Sequence, residues 1–235
     1  INKNKGAYEP ETMATICELI EYNCDYLFDI GANIGLYSTI MSTIFQDKVE
    51  IHAFEPAPDL NKIATEIAQL NSINYRCHGI ALSDKKGTAD FYLSPVTDTS
   101  HSLNPDFRKS KNKISVELNT LNEFCKEKEC WPDLLKIDTE TTEFSVLSGG
   151  DKLIEGKRPW IVCEVLDGGG KEIEDLLNKY DYHFYHIKES GLQKEAKIIG
   201  CSNYRDWLFA PSKIPKKLFS NIDMWKAYLY SGFMN

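Results

Sequence analysis

A glycine-containing turn lies near the start of this 235-residue chain, with the sequence Asp29-Ile30-Gly31-Ala32-Asn33-Ile34-Gly35. The short apolar run from Tyr26 to Ile30 precedes it and predicts a buried strand. Apolar residues then recur every three or four positions from Ile34 to Ile44, which predicts a helix. Glycines let the backbone turn sharply and let a ligand approach it closely, and the following helix begins with free N–H groups. The segment therefore predicts a strand–turn–helix unit that can bind a ligand at the turn.

Strand and helix patterns alternate along most of the chain, which favours an α/β fold with a mainly parallel sheet covered by helices on both faces. The predicted strands are Tyr26 to Ile30, Val49 to Phe54, Tyr75 to Leu82, Leu134 to Ile137, Trp160 to Val165, Tyr182 to Ile187 and Trp207 to Ala210. The last two are expected to close the sheet as antiparallel strands. Phe144 to Leu153 is predicted to be helical.

The rest of the chain predicts one domain over residues 1–210 with three additions. Residues 6–24 form a helical cap at the N-terminal side. A polar loop is inserted over residues 94–113, between two strands whose alternating pattern suits antiparallel or edge pairing. Residues 211–235 form a basic and aromatic tail that packs on the domain, pairs two subunits in a homodimer, or contacts an anionic lipid-linked glycan.

Composition and charge exclude several classes of protein. The 27 Lys and Arg and 35 Asp and Glu give a net charge of −8, which argues against nucleic acid as a partner because binding it requires many cations. No apolar run approaches the ~18 residues of a membrane-spanning helix. The seven cysteines contain no Cys-x-x-Cys pair, so we expect reduced thiols in a cytoplasmic protein. The first residue is Ile1 rather than Met, which predicts a trimmed chain.

Polar residues follow the predicted strands at the sheet edge where ligands of such folds bind. Glu55 follows the second strand and can accept two hydrogen bonds from a ribose diol, or it is a surface acid. The segment Ala81-Leu82-Ser83-Asp84 can frame an adenine ring, or it is an ordinary turn. The fourth strand leads into an acidic cluster, in which Glu143 suits the first turn of a helix and Asp138 is expected to face the cleft.

Together these segments resemble the FkbM family of S-adenosylmethionine-dependent methyltransferases. The resemblance runs from Gly6-Ala7-Tyr8-Glu9-Pro10-Glu11 to Glu164, about two thirds of the chain. Its other motifs are Asp29 to Gly35, Phe54-Glu55-Pro56, Ala81-Leu82-Ser83-Asp84 and Leu134-Leu135-Lys136-Ile137-Asp138-x-Glu140-x-x-Glu143. Thr141 departs from the family pattern, which usually has glycine directly after the first glutamate, so we expect the backbone to differ there.

The resemblance implies a Rossmann-like class I methyltransferase fold with a seven-stranded sheet, and S-adenosylmethionine as cofactor. It assigns the turn to the methionine part, Glu55 to the ribose and Asp138 to the amino or sulfonium group. Residues 81–83 would flank the adenine, and the segment before Pro10 would close over the cofactor. The implied binding set is Tyr8, Glu9, Asp29, Gly31, Ala32, Asn33, Gly35, Glu55, Pro56, Ala81, Leu82, Ser83 and Asp138.

Family members with an assigned activity methylate hydroxyls of sugars or macrolides, which predicts an O-methyltransferase acting on a small-molecule or glycan acceptor. Such a reaction needs an in-line arrangement and a group that takes the hydroxyl proton. His101 in the inserted loop is the first candidate for this base. Asp138 and Glu140, with Glu164, are candidate bases, electrostatic partners or ligands of a divalent metal, which is possible but not favoured.

Other functions stay open at this point. The acceptor can instead be a natural product or a protein side chain, or the chain can be a non-catalytic cofactor-binding module. A nicotinamide-dependent oxidoreductase is disfavoured, because the turn has Gly31 and Gly35 in a Gly-x-x-x-Gly spacing and not the Gly-x-Gly-x-x-Gly of dinucleotide-binding folds.

Overall fold

The computed structural model of the chain describes residues 8–94, 101–107, 109–215 and 217–232. Within these ranges the strands are β1 (Tyr26–Ile30), β2 (Glu50–Phe54), β3 (Arg76–His78), β4 (Ile80–Leu82), β5 (Gly87–Tyr92), β6 (Lys113–Asn119), β7 (Leu134–Ile137), β8 (Trp160–Glu164), β9 (His183–Lys188), β10 (Gly191–Glu195) and β11 (Asp206–Ala210). Eight of them form one sheet in the order β10-β9-β11-β8-β7-β1-β2-β3. The five strands from β3 to β8 in this order pair in parallel.

Helices cover both faces of this sheet, as predicted. They are α1 (Pro10–Asn23), α2 (Leu36–Phe45), α3 (Pro58–Leu70), α4 (Leu121–Lys128), α5 (Glu143–Ser148), α6 (Asp151–Gly156), α7 (Lys171–Asn178) and α8 (Ile222–Gly232), with a 3-10 helix over Gln46–Lys48. Buried apolar residues of α1, α2 and α8 belong to one core cluster together with Ala64 and Ala68 of α3, and those of α4 to α7 belong to another. In the described part of the chain, none of the helices is long and apolar enough to cross a membrane.

The Rossmann-like architecture is confirmed, but the predicted count of seven strands is wrong because the sheet has eight. The additional strand is β10, which pairs antiparallel with β9 at the outer edge of the sheet. Its sequence Gly-Leu-Gln-Lys-Glu is mostly polar, and each of its residues is partly or fully exposed. An edge strand of this kind buries no continuous apolar face, so it leaves no periodic signal in the sequence.

The predicted third strand, Tyr75 to Leu82, is interrupted at Gly79. Its first half is β3 in the main sheet, whereas its second half, β4, pairs in parallel with β6 in a separate three-stranded sheet of order β4-β6-β5. The antiparallel pairing predicted for the strands on either side of the inserted loop is that of β5 and β6. The small sheet therefore carries this loop to the same edge at which β1, β2 and β7 end.

Two further segments differ in detail from the predicted pattern. The helix predicted over Phe144 to Leu153 is divided into α5 and α6 at Gly149, where a Cβ would lie 2.0 Å from the Ser83 carbonyl oxygen. The tail ends in α8, which packs against α1, and its Trp225 indole donates a hydrogen bond to Glu21 at 3.2 Å.

Candidate active site

A cleft opens at the carboxyl ends of β1, β2 and β7, and it contains about 1030 Å³ of empty space, part of it open to solvent. Ligands of α/β sheets bind at this edge. The predicted site residues that line the cleft are Tyr8, Gly31, Ala32, Asn33, Glu55, Pro56, Ala81, Leu82, His101, Asp138 and Glu140. The other four, which are not among its walls, are Glu9, Asp29, Gly35 and Ser83.

Both glycines of the turn after β1 are required by packing within the protein. Gly31 and Gly35 have φ angles of 80° and 78°, a left-handed conformation that other residues adopt only at a cost. A Cβ on Gly31 would lie 1.8 Å from the carbonyl oxygen of Asp138, and one on Gly35 would lie 2.7 Å from the hydroxyl of Tyr75. The Gly31 amide also donates to the Phe54 carbonyl at 3.0 Å. The turn is therefore fixed against β2 and against the loop after β7.

Glu55 is buried directly after β2, and its carboxylate accepts hydrogen bonds from two backbone amides. Oε2 accepts from Asn33 of the glycine turn at 2.9 Å, and Oε1 accepts from Ala57 at 2.8 Å. Burial raises the pKa of Glu55 to about 7, although the two amide hydrogen bonds lower it. Because each carboxylate oxygen has a second lone pair, Glu55 can accept further hydrogen bonds from a diol while it holds the turn.

A buried cation that the sequence analysis missed, Lys136, lies between two predicted acids. Its Nζ is 3.7 Å from Asp29 Oδ1 and 3.3 Å from Asp138 Oδ2, and it lies 4.7 Å from the centre of the Tyr37 ring. Burial lowers the pKa of Lys136, but the carboxylates of Asp138 and Asp29 raise it above its ordinary value, so the amine stays charged. The sequence could have revealed Lys136, because it is a charged residue inside the apolar run Leu134–Ile137. The alternation of side chains along a strand also puts it on the same face as Asp138.

Asp29 supports the turn from inside the protein. It is fully buried, and its Oδ2 accepts hydrogen bonds from the amide and the hydroxyl of Ser38 at 3.2 and 2.7 Å. Ser38 lies in the first turn of α2, where a negative charge is favourable. Any role of Asp29 in ligand binding therefore acts through the turn and through Lys136.

Tyr8, which lies just before α1, forms part of one side of the cleft. Tyr8 is 55% exposed and lines the cleft, and its ring meets that of Tyr37 edge to face, with 6.5 Å between the centroids. Glu9 lies behind this wall, where its Oε2 accepts a hydrogen bond from the Tyr37 hydroxyl at 2.6 Å. Burial raises the pKa of Glu9. Tyr37, which the sequence analysis also missed, thus joins the N-terminal segment to α2.

The end of β4 supplies an apolar wall. Ala81 and Leu82 are buried and line the cleft together with Phe91, so they offer a surface against which a flat ring can pack. Ser83 is not part of this wall, because its amide donates to the Asn119 carbonyl at 2.9 Å and its hydroxyl to Asp84 at 3.2 Å. One partner of Ser83, Asp84, is its neighbour in the chain, and the other, Asn119, belongs to the small sheet.

His101 lines the cleft from the inserted loop. Its Nδ1 accepts a hydrogen bond from the Ser94 amide at 2.9 Å, and its ring meets Phe91 edge to face. A neutral imidazole that accepts at Nδ1 carries its proton on Nε2, so in this arrangement His101 is a hydrogen-bond donor at Nε2. The predicted role as general base stays a prediction, and it requires His101 to leave the Ser94 amide and change its tautomer.

The backbone after β7 is strained and held by its surroundings. Glu140 and Thr141 have φ angles of 55° and 84°, and the second is unusual for a β-branched residue. The buried Glu143 carboxylate accepts hydrogen bonds from the amides of Thr139 and Thr141 at 3.0 and 3.1 Å. Thr141 stands where the family usually has glycine, and its backbone has a conformation that glycine adopts readily. Glu143 stabilises the turn that carries Glu140.

Three carboxylates converge at the ends of β7 and β8. One oxygen each of Asp138, Glu140 and Glu164 lies within 4.8 Å of the other two. Glu164 is the last residue of β8, and its Oε1 is 3.2 Å from Nη1 of Arg205. Burial, followed by the charges of Asp138 and Glu140, raises the pKa of Glu164 to about 9. Hard cations prefer such oxygen ligands, so this group has the chemistry of a metal site.

Known proteins that this chain resembles are methyltransferases. Hexuronic acid methyltransferase AglP of Haloferax volcanii is 28% identical over 158 residues, which cover 66% of this chain and 62% of AglP. The 31-O-demethyl-FK506 methyltransferase FkbM of Streptomyces tacrolimicus is 25% identical over 193 residues, covering 67% of this chain and 72% of that protein. This chain thus spans less than two thirds of AglP.

A solved structure shares the fold. The crystal structure of methyltransferase FkbM from Methylobacillus flagellatus KT has a TM-score of 0.51 and 15% sequence identity with this chain, covering 79% of this chain and 43% of that one. The family model of the methyltransferase FkbM domain matches residues 29–184, about two thirds of the sequence. That range begins at the acid before the glycine turn and ends in β9, so it includes the last two residues of β1 and all of β2, β7 and β8, whose ends carry the site. The chain therefore belongs to the FkbM methyltransferase family.

Proposed function

We propose that this chain is an S-adenosylmethionine-dependent O-methyltransferase that methylates a hydroxyl group of a sugar in a glycan or glycoconjugate. The observation that carries the proposal is the position of Glu55, which is buried beside the glycine turn in the same cleft as Asp138. One cleft thus contains a carboxylate that can accept hydrogen bonds from a diol, an apolar wall, and an acid that can face a cationic group. These are the groups that recognise a ribose, an adenine and an aminoacyl sulfonium.

The walls of the cleft fit the parts of this cofactor. Glu55 would bind the ribose hydroxyls, with Pro56 fixing the chain beyond it, and Ala81 and Leu82 would pack on the adenine. The turn from Gly31 would hold the methionine part. Asp138 would face the amino group or the sulfonium, and Tyr8, supported by Glu9 through Tyr37, would close the open side. When bound, S-adenosylmethionine supplies an electrophilic methyl group on a sulfonium sulfur.

The acceptor side of the cleft has groups that can orient a hydroxyl and take its proton. In the transfer the O–CH₃ bond forms as the S–CH₃ bond breaks, and the hydroxyl proton leaves to a base. Asp138 and Glu140 line the cleft and are carboxylates, so we assign the proton to one of them. His101 lines the same cleft from the inserted loop. Placing the reacting atoms in line at ~3 Å contributes much of the rate.

The proposed acceptor class rests on the relatives. One relative is named a hexuronic acid methyltransferase, which favours a sugar as the acceptor. A second candidate acceptor is a hydroxyl of a macrolide-type natural product, favoured by the relative named a 31-O-demethyl-FK506 methyltransferase. Both proposed acceptors present a hydroxyl, so the same residues of this chain would serve either one.

Methyl-labelled S-adenosylmethionine and a panel of acceptors test this proposal. The panel contains neutral hexoses, hexuronates, nucleotide sugars and a macrolide with a free hydroxyl. We expect label in an O-methyl sugar, with S-adenosylhomocysteine as the second product and loss of transfer in Glu55→Ala. Transfer to the macrolide alone would favour the second candidate. Binding of the cofactor without transfer to any hydroxyl, or transfer to nitrogen or carbon only, would overturn the O-methyltransferase assignment.

A further inference from the structure

We propose that Asp138, Glu140 and Glu164 bind one divalent cation of the hard, oxygen-liganded class, such as Mg²⁺ or Mn²⁺, at the wall of the cleft. The three residues come from two neighbouring parallel strands, since Asp138 and Glu140 follow β7 and Glu164 ends β8. The binding of the cation does not depend on methyl transfer.

The separation of the three carboxylates suits a single ion. Their nearest oxygens all lie within 4.8 Å of one another. Mg²⁺ binds oxygen at about 2.0–2.1 Å and Ca²⁺ at about 2.3–2.6 Å, so two ligands of one ion lie at most about 4.2 Å apart on Mg²⁺ and about 5.2 Å apart on Ca²⁺. One cation among these oxygens can therefore contact all three residues after small side-chain rotations that bring the oxygens toward it.

Glu164 provides a second observation that points to a ligand. The residue is 7% exposed, and its Oε2 is buried without a hydrogen-bond partner among the described residues. Arg205 contacts the other oxygen, Oε1, at 3.2 Å. A buried, unpartnered carboxylate oxygen is costly unless an ion or a hydrogen bond compensates it. Because a carboxylate oxygen of Glu164 lies within 4.8 Å of oxygens of Asp138 and Glu140, a cation bound among the three residues would supply a partner for this carboxylate.

Carboxyl groups crowd together at this end of the sheet. Lys136 Nζ is 3.3 Å from Asp138 and 3.7 Å from Asp29, and Arg205 Nη1 is 3.2 Å from Glu164. Asp206 lies opposite Glu164 on β11 and adds a further acid. Among the described residues, Asp138, Glu164 and Asp206 therefore repel one another, and a bound divalent ion would offset this repulsion.

The trio is positioned before any ion arrives. Glu143 holds the turn that carries Glu140 through the Thr139 and Thr141 amides, and the Ser102 hydroxyl donates to the Glu140 carbonyl at 2.6 Å. A preformed set of ligands loses little freedom when it binds an ion.

The position of the trio links the cation to the acceptor, and this step rests on the proposed function. Asp138 and Glu140 line the cleft, so an ion held by them can be reached by an acceptor oxygen. A divalent cation lowers the pKa of a hydroxyl that binds it. In that case the two carboxylates act as ligands rather than as proton acceptors, and the hydroxyl, whose pKa the cation lowers, releases its proton to water.

Titration of the full chain with Mn²⁺, followed by the electron paramagnetic resonance of the free ion, tests the site directly. We expect one Mn²⁺ per chain with a Kd below about 1 mM, and a Kd raised about tenfold or more in Glu164→Gln and in Glu140→Gln. Glu117→Gln, which removes an exposed acid of β6, is the matched control and should leave the Kd unchanged. Circular dichroism confirms that each variant is folded.

Absence of Mn²⁺ binding to the wild-type chain would overturn the proposal, and so would an unchanged Kd in folded Glu164→Gln and Glu140→Gln. The same samples are titrated with S-adenosylhomocysteine in the absence of metal. Cofactor binding with no Mn²⁺ binding would reject the cation site alone. Mn²⁺ binding with no cofactor binding would reject the proposed methyl donor and leave the cation site standing.

Discussion

The hydroxyl of Ser102 donates a hydrogen bond to the backbone carbonyl of Glu140 at 2.6 Å. Ser102 belongs to the inserted loop, is 1% exposed, and pairs with Tyr92 through two backbone hydrogen bonds. Glu140 belongs to the strained turn after β7. This bond therefore joins the loop that carries His101 to the turn that carries the acids, and it fixes the acceptor side of the cleft.

Ser102→Ala should lower the free energy of unfolding by about 1–3 kcal/mol, the cost of leaving buried polar groups unpaired. The substitution removes both the bond to Glu140 and the acceptor of the Asn104 amide, which is 3.0 Å from the Ser102 hydroxyl. Urea unfolding at neutral pH measures the change. Ser220→Ala, which alters an exposed hydroxyl in the tail, should leave the midpoint in place. Equal midpoints for all three proteins would show that the bond contributes nothing.

Thr141→Gly should raise the free energy of unfolding by about 1 kcal/mol. A left-handed conformation at a β-branched residue costs ~1–3 kcal/mol, and glycine removes this strain at an entropic cost of ~0.4–1 kcal/mol. Thr141 has a φ of 84°. The control is Thr88→Gly on β5, where φ is not positive and glycine should destabilise the strand. A fall in stability for both variants would contradict the strain assigned to Thr141.

The stability of the ligand-free protein should depend on the ionisation of Glu55. Its pKa is raised from 4.5 to about 7, mainly by burial, so between these values the folded state holds a proton that the unfolded state has released. Stability from this group is therefore present below pH 4.5 and is lost as the pH rises to about 7. Glu55→Gln should remove that loss, which amounts to no more than about 3 kcal/mol.

Urea unfolding of the wild type and Glu55→Gln at pH 5 and pH 8 measures this effect. The variant should gain stability relative to the wild type on going from pH 5 to pH 8. If the difference between the two proteins were the same at both pH values, the raised pKa of Glu55 would be refuted.

The neutral imidazole of His101 should carry its proton on Nε2, because Nδ1 accepts the Ser94 amide. A long-range ¹H–¹⁵N correlation spectrum at pH 8 distinguishes the two tautomers, and His101→Ala identifies the signal. The Nε2–H pattern would support a donor role in the cleft. The Nδ1–H pattern would contradict the hydrogen bond to Ser94 and would restore His101 as the candidate base.

The parts of the site that lie at strand ends could be predicted from the sequence. Glu55 and Asp138 directly follow runs of buried apolar residues, and the glycine turn has a local pattern of its own. Parallel strands bring such ends together whatever the details of packing. For this reason the positions of Glu55, Asp138 and Gly31 after predicted strands were enough to predict that they lie at one cleft.

The remaining features depend on contacts between distant parts of the chain. Lys136 lies opposite Asp29 only because β1 and β7 pair in that register, although the two residues are far apart in sequence. Ser83 is not among the residues that line the cleft, and its amide donates to the carbonyl of Asn119 at the end of β6. No local pattern encodes either relationship, so sequence reasoning overlooked Lys136, and the adenine contact that the resemblance implies for Ser83 stays a prediction.

Calorimetric titration of the wild-type chain and Glu55→Ala with S-adenosylhomocysteine tests the central claim most directly. We expect one site per chain with micromolar affinity, and a loss of about 1–3 kcal/mol of binding free energy in Glu55→Ala, since the ribose hydroxyls lose their acceptor. Asp59→Ala, an exposed acid in the first turn of α3, should bind like the wild type. A folded wild-type chain that does not bind, or a Glu55→Ala variant that binds equally well, would contradict the account.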